Sequence, residues 1–132
     1  MITTSDIRKI LSIDAQSLGI GEIYPKENVP EGNVESERVV IIVKDQSTET
    51  YWDKCFANIN IDVPDLDEYG NADLPRLEDL ERLAHNVFED VCGEFNGSHY
   101  VYTWDSIGIE RDNGLRCHYV AVRILFEVLN VK

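Results

Sequence analysis

Residues 74–91 read LPRLEDLERLAHNVFEDV, and the spacing of their apolar side chains governs how the rest of the chain is read. Leu77, Leu80, Leu83, Ala84, Val87 and Phe88 recur every three or four residues, as on one face of an α-helix, and Val91 and Phe95 continue the stripe. Glu78, Asp79, Arg82, Asn86, Glu89 and Asp90 fall off it. Asp73 is placed to cap, Pro75 suits a first turn, and Gly93 with Asn96-Gly97 supplies a stop, so the pattern predicts a helix across residues 74–95. Such a helix must bury its stripe on a sheet or another helix.

Downstream, two β-forming stretches, residues 100–111 and 115–131, flank Asp112-Asn113-Gly114 and read as a hairpin. With Asn113-Gly114 as a two-residue turn, Ile109 opposes His118, Ile107 opposes Val120, Thr103 opposes Ile124 and Val101 opposes Phe126, giving an apolar face for the helix. The opposite face then carries Tyr102 against Leu125, Trp104 against Arg123 and Gly108 against Tyr119, and needs a cover of its own. An N-terminal helix or a neighbouring subunit would serve. Asp105 falls on the apolar face in this register, which points either to a bulge near Ser106 or to a local error in the pairing.

Upstream, Ile7, Ile10, Leu11 and Leu18 predict a short amphipathic helix over residues 4–18, with Thr4 or Ser5 as N-cap and Gly19 beyond its end. Residues 20–32 allow one short strand and a loop. Val39-Val40-Ile41-Ile42-Val43 is wholly β-branched and reads as a central strand covered on both faces. From Tyr51 the chain alternates: Cys55, Ala57, Ile59, Ile61 and Val63 point one way, and Lys54, Asn58, Asn60 and Asp62 the other. An acidic loop, residues 65–73, leads into the long helix. The expectation is a single α+β domain over residues 1–132. It has an antiparallel or mixed sheet of four to five strands, one long helix on one face and a short N-terminal helix.

Composition narrows the function classes. The chain has 132 residues, 25 acidic against 12 basic, and a formal charge of −13. Residues 62–94 hold 11 acidic and 2 basic side chains, and residues 95–132 hold 4 of each, so the acidity is regional. Such a field repels phosphate backbones and speaks against a sequence-reading nucleic-acid binder. The longest apolar run, Val39 to Val43, is far short of a membrane helix, and no secretory signal is visible, so a cytosolic setting is expected. Cys55, Cys92 and Cys117 have no short pairing motif and fit reduced thiols.

Tests for chemistry fail on geometry. The calcium-like start Asp65-x-Asp67-x-Tyr69-Gly70 has Arg76 where a bidentate glutamate is required. Gly19-Ile20-Gly21 lacks a third glycine and a following helix. Cys117 and His118 are neighbours on a strand and point to opposite faces, so His118 reads as a core-edge histidine. His85 and Cys92, seven apart on the expected helix, make two ligands and no zinc site. No catalytic, cofactor-binding or metal-binding residues are expected, and the chain is read as no enzyme. What remains is an aromatic strand face, Trp52 and Phe56 beside Lys54 and Asn58, covered either by the chain's own N-terminal segment or by a partner. With Tyr102, Trp104 and Tyr119 these are the candidate protein-interface residues.

In its element order the chain resembles the tail-terminator, or tail-completion, proteins of tailed phages and prophages. The stretches that carry the likeness are ERVVIIVKD, YWDKCFANINIDV, LPRLEDLERLAHNVFEDV and IGIERDNGLRCHYVAVRILFEV. The resemblance implies a non-enzymatic subunit that forms a ring at the head-proximal end of the tail. Its partners would be copies of itself and other tail or neck proteins, with no cofactor, no membrane and no sequence-specific nucleic acid. It would reside in the bacterial host cytoplasm and then in the virion tail. The alternative is an acidic protein-binding module, a secretion-chaperone-like dimer or a DNA-mimicking inhibitor.

Overall fold

The computed structural model describes residues 2–44, 47–48 and 52–129; the side chains of Ser47, Thr48 and Trp52 lie outside that description. Helix α1 (Thr4–Ala15) is followed by one 3-10 turn, Gln16–Leu18, and Gly19 at φ +77° ends it. The N-cap is Thr3, one residue before the expected positions, because Thr3 and Asp6 close a reciprocal capping box on each other's backbone N–H. Strands β1 (Ile23–Pro25), β2 (Arg38–Val43), β3 (Ser47–Thr48) and β4 (Trp52–Pro64) precede helix α2 (Leu74–Val87). Strands β5 (Val91–Phe95), β6 (Ser98–Asp112) and β7 (Cys117–Leu129) follow.

Six strands lie in the order β1-β2-β4-β7-β6-β5, and two-residue β3 pairs with the start of β4. The sheet is larger than four to five strands. It is mixed, since β1 runs parallel to β2 and the other pairs are antiparallel. The additional strand is β5, which lies inside the expected helix. Asp73 caps α2 by accepting from the Arg76 N–H as anticipated, but the helix stops at Val87 and Asp90 takes a left-handed φ of +44°. Val91, Gly93 and Phe95 satisfy a period of two as well as their helical places do. A helix-interior Gly93 would cost about 1 kcal/mol. Asn96 and Gly97, at φ +49° and +78°, form the two-residue turn that folds β5 onto β6.

The other hairpin departs from the expected register. Four residues, 113–116, link β6 to β7 where two were expected, and Arg116 takes a φ of +53°. Ile109 therefore opposes Val120, not His118, a slip of two that leaves each side chain on the expected face. The bulge at Asp105, between Trp104 and Ser106, changes the parity. Beyond it Tyr100, Tyr102 and Trp104 turn to the helix side, while Val101 and Thr103 turn away.

Both helices lie on one face. Ile7, Ile10, Leu11 and Ala15 of α1 and Leu77, Leu80 and Ala84 of α2, with Phe88, share one core with Val39, Ile41, Cys55 to Val63 at alternate positions, Tyr102, and Val120 to Val128 at alternate positions. Of the two covers left open for the second face, the N-terminal helix and a neighbouring subunit, α1 is thus not the one used. The alternation of β4 starves that face of large apolar groups, whereas the mates of Ile7 and Leu11 lie on the other.

A candidate protein-interaction face

The face opposite the helices is read strand by strand from the register. On β4 it presents Lys54, Phe56, Asn58, Asn60 and Asp62, and on β7 Tyr119, Ala121, Arg123, Leu125 and Glu127. Across the β6–β7 ladder lie Val101, Thr103, Ser106, Gly108 and Glu110, and β5 adds Cys92 and Glu94. Phe56 is 39% exposed and Val101 40%, which is high for large apolar groups on a sheet. The Arg123 guanidinium carbon sits 4.1 Å from the centre of the Phe56 ring and its Nη1 lies 3.3 Å from Asp105. Beside them a shallow depression of about 200 Å³ is lined by Asp90, Cys92, Val101, Thr103, Leu125 and Glu127 among others.

At one end the face is covered by the chain itself. The loop after β1 folds back so that the Val34 N–H donates to the Leu115 carbonyl at 2.9 Å and Arg38 reaches the Pro30 carbonyl at 3.4 Å. Beneath it Arg38 pairs with Asp62 at 2.9 Å. Desolvation pushes the Asp62 carboxyl above the usual carboxylate range, Arg38 pulls it back, and Asp112 adds to the rise. The Cys117 thiol is pushed up to about 12 by burial and by the neighbouring Asp62 and Asp112 charges. A thiol held protonated is a poor nucleophile. Tyr119 is also raised to about 12, by burial first and then by its hydrogen bond to Glu110. His118 Nδ1 and Asp65 Oδ1 are 2.7 Å apart, tying the acidic loop to β7, so His118 lies at the core edge as read from sequence.

Of the five expected interface residues, two lie on the side away from the helices: Phe56, exposed on its open part, and Tyr119, half-buried at the end the returning loop covers. Tyr102 is corrected: it is 2% exposed in the core, its hydroxyl donating to Asp14 at 2.5 Å. Trp104 is corrected in its face alone: it is half-buried on the helix side, its Nε1–H donating to the His85 carbonyl at 3.2 Å and its ring lying edge-on to His85 at 4.6 Å. The Asp105 bulge moved both. The Trp52 side chain lies outside the described residues. His85 and Cys92 are parted, one on α2 and the other on β5.

Sequence reasoning missed Val101 on this face, and missed a second apolar surface on the loop between β4 and α2. There Leu66, Tyr69 and, at the helix start, Leu74 are 65%, 79% and 52% exposed. Large apolar residues inside an otherwise acidic loop were the available signal. Among the described residues, no three His, Cys, Asp or Glu side chains group as a metal-binding cluster. No described helix is long and apolar enough to cross a membrane.

No family model matches the sequence, and no curated protein does. Among solved structures, one identified only by a sequence label is similar at a TM-score of 0.56, with 7% identity, over 98% of this chain and 95% of that chain. At that identity the likeness concerns the fold alone.

Proposed function

We propose that this chain is a non-enzymatic structural subunit of the phage tail-terminator kind. It associates with copies of itself into a ring at the head-proximal end of a tail and offers the ring to tail and neck proteins. The observation that carries this reading is the sheet face left bare by two helices on the same side, with Phe56, Val101 and Leu125 grouped on it. A bare face with that content is the surface a domain buries in assembly.

The reading is tested by electron microscopy of the purified protein, alone and mixed with a polymerising phage tail-tube protein. Rings, or tubes that stop at uniform length, are the expected result. Tubes of unaltered length together with no rings would overturn it.

A further inference from the structure

Resting on the assembly reading, we propose that β5 is the edge at which a different protein docks: it takes an extended, basic strand, with one Lys or Arg stem of that strand in the depression on the open face. The first observation is the edge itself. β5 ends the sheet order, with β6 on one side and no strand among the described residues on the other. Phe95 and Ser98 close a two-residue turn and so exchange both backbone hydrogen bonds, and the pairs of an antiparallel ladder alternate from there. Val91 and Gly93 therefore direct their backbone groups to β6, whereas Cys92 and Glu94 direct theirs outward. The Trp104 N–H follows the same parity on β6, donating away from β7 to the Phe88 carbonyl at 3.0 Å. Among the described residues, no backbone group meets those of Cys92 and Glu94. A row of this kind is a template for another strand.

Charge selects the strand. Residues 88–102, which hold β5 and its flanks, include Glu89, Asp90 and Glu94 and no Lys or Arg. Glu127 adds a fourth carboxylate on the same face. Glu94 faces His99 across one ladder and Glu127 faces Lys54 across another, but among the described residues no cation forms an ion pair with Asp90, Glu94 or Glu127. The cations of this face lie elsewhere: Lys44, Lys54 and Arg123 gather around Phe56, and Arg123 is taken by Asp105. Towards the covered end, Asp62 is held by Arg38, and Glu110 accepts from Tyr119. The β5 end is thus acidic and unanswered within the chain. Pairing β5 with the β5 of a second copy would bring Glu89, Asp90 and Glu94 of both to one short edge, so the fitting occupant is a basic strand of another protein.

The depression fits the side chain such a strand would bring. It is lined by apolar Val101 and Leu125 and by Asp90 and Glu127, and its volume is about 200 Å³, below the roughly 300–1,000 Å³ of small-molecule sites. A Lys or Arg buries its aliphatic stem on apolar surface and keeps its charged head outside, here beside carboxylates. The Asp90 N–H donates to Thr103 Oγ1 at 3.3 Å, which holds the start of β5 against β6. The edge is therefore formed before the partner arrives, and little remains to be ordered on binding. Because side chains alternate along a strand, basic residues at every second position of the incoming segment would all face this acidic side.

The probe is a fluorescein-labelled peptide of alternating Lys and Val, followed by fluorescence anisotropy. It should bind the parent protein and slow the modification of Cys92, which lines the depression, by a thiol reagent. A double variant, Asp90→Asn with Glu127→Gln, should weaken binding at least about tenfold. Glu78→Gln with Asp79→Asn removes the same charge from the exposed side of α2 and should leave binding unchanged. Circular dichroism should show parental folds for both variants. A peptide with Pro in place of Val keeps the charge but cannot donate to a ladder, and should not bind. A parent that binds no Lys-Val peptide would overturn the proposal. Equal weakening by the α2 variant, equal binding of the proline peptide, or an unprotected Cys92 would overturn it as well. The assembly reading is decided separately, by whether rings or length-stopped tubes form.

Discussion

Asp62 and Arg38 stand directly opposite one another on β4 and β2, joined at 2.9 Å with 7% and 8% of their side chains exposed. They end the uncovered sheet face and hold the returning loop over it. Removing one partner of such a pair leaves a buried charge, whereas replacing both by apolar groups is often neutral. Arg38→Met is therefore expected to cost about 3–5 kcal/mol at neutral pH. The folded-state pKa of Asp62 is raised by desolvation, so its contribution to stability is greatest below the usual carboxylate range and falls as pH rises through it. Without Arg38 that rise is larger, and the cost should shrink towards pH 4. Chemical denaturation at pH 7 and pH 4 measures this; equal losses at the two values would contradict it.

Tyr102 ties β6 to α1 through Asp14. Its hydroxyl is held far above the ordinary phenol value, by burial first and then by the Asp14 hydrogen bond and charge. Tyr102→Phe should cost about 1.5–3 kcal/mol, the range for a hydrogen bond to a charged group. The neutral phenol is the form the fold prefers, so the stability it contributes is present below about pH 10 and lost above it. The gap in melting temperature between parent and variant should narrow above that pH.

Deleting Asp105 would remove the bulge and restore an unbroken alternation along β6. Either Tyr102 and Trp104 or Ile107 and Ile109 would then turn outward, since each pair faces the helices only because of the extra residue. Loss of the cooperative unfolding transition is expected. A deletion variant that melts like the parent would show that the bulge does not set the faces.

Cys55 and Cys117 are buried, and Cys92 is exposed on β5. A thiol reagent at neutral pH should modify one thiol quickly and the other two only on unfolding. Mass mapping of the fast site to Cys92 would support its place on the open face; rapid modification of Cys117 would count against the packed hairpin end.

Wherever one local rule acted alone, the chain could be read directly. The alternation of Cys55, Ala57, Ile59, Ile61 and Val63 determined which face of β4 is buried, because period two admits no other backbone that hides all five. Asp73 and Pro75 determined where α2 begins, and the aspartate at 105 betrayed its bulge by sitting in an apolar row. Residues 91–95 satisfied both periods, and only their ladder with β6 chose strand over helix. The faces of Tyr102 and Trp104 depended on a single extra residue, Asp105, next to Trp104 in the chain, and the side on which α1 lies depended on packing against β2 and β1. The sequence by itself therefore determined an α+β domain with a striped helix on an alternating sheet. Tertiary structure alone decided that both helices share one side and that, among the described residues, the loop after β1 covers the hairpin end of the other, because layer placement is set by contacts between segments far apart in the chain.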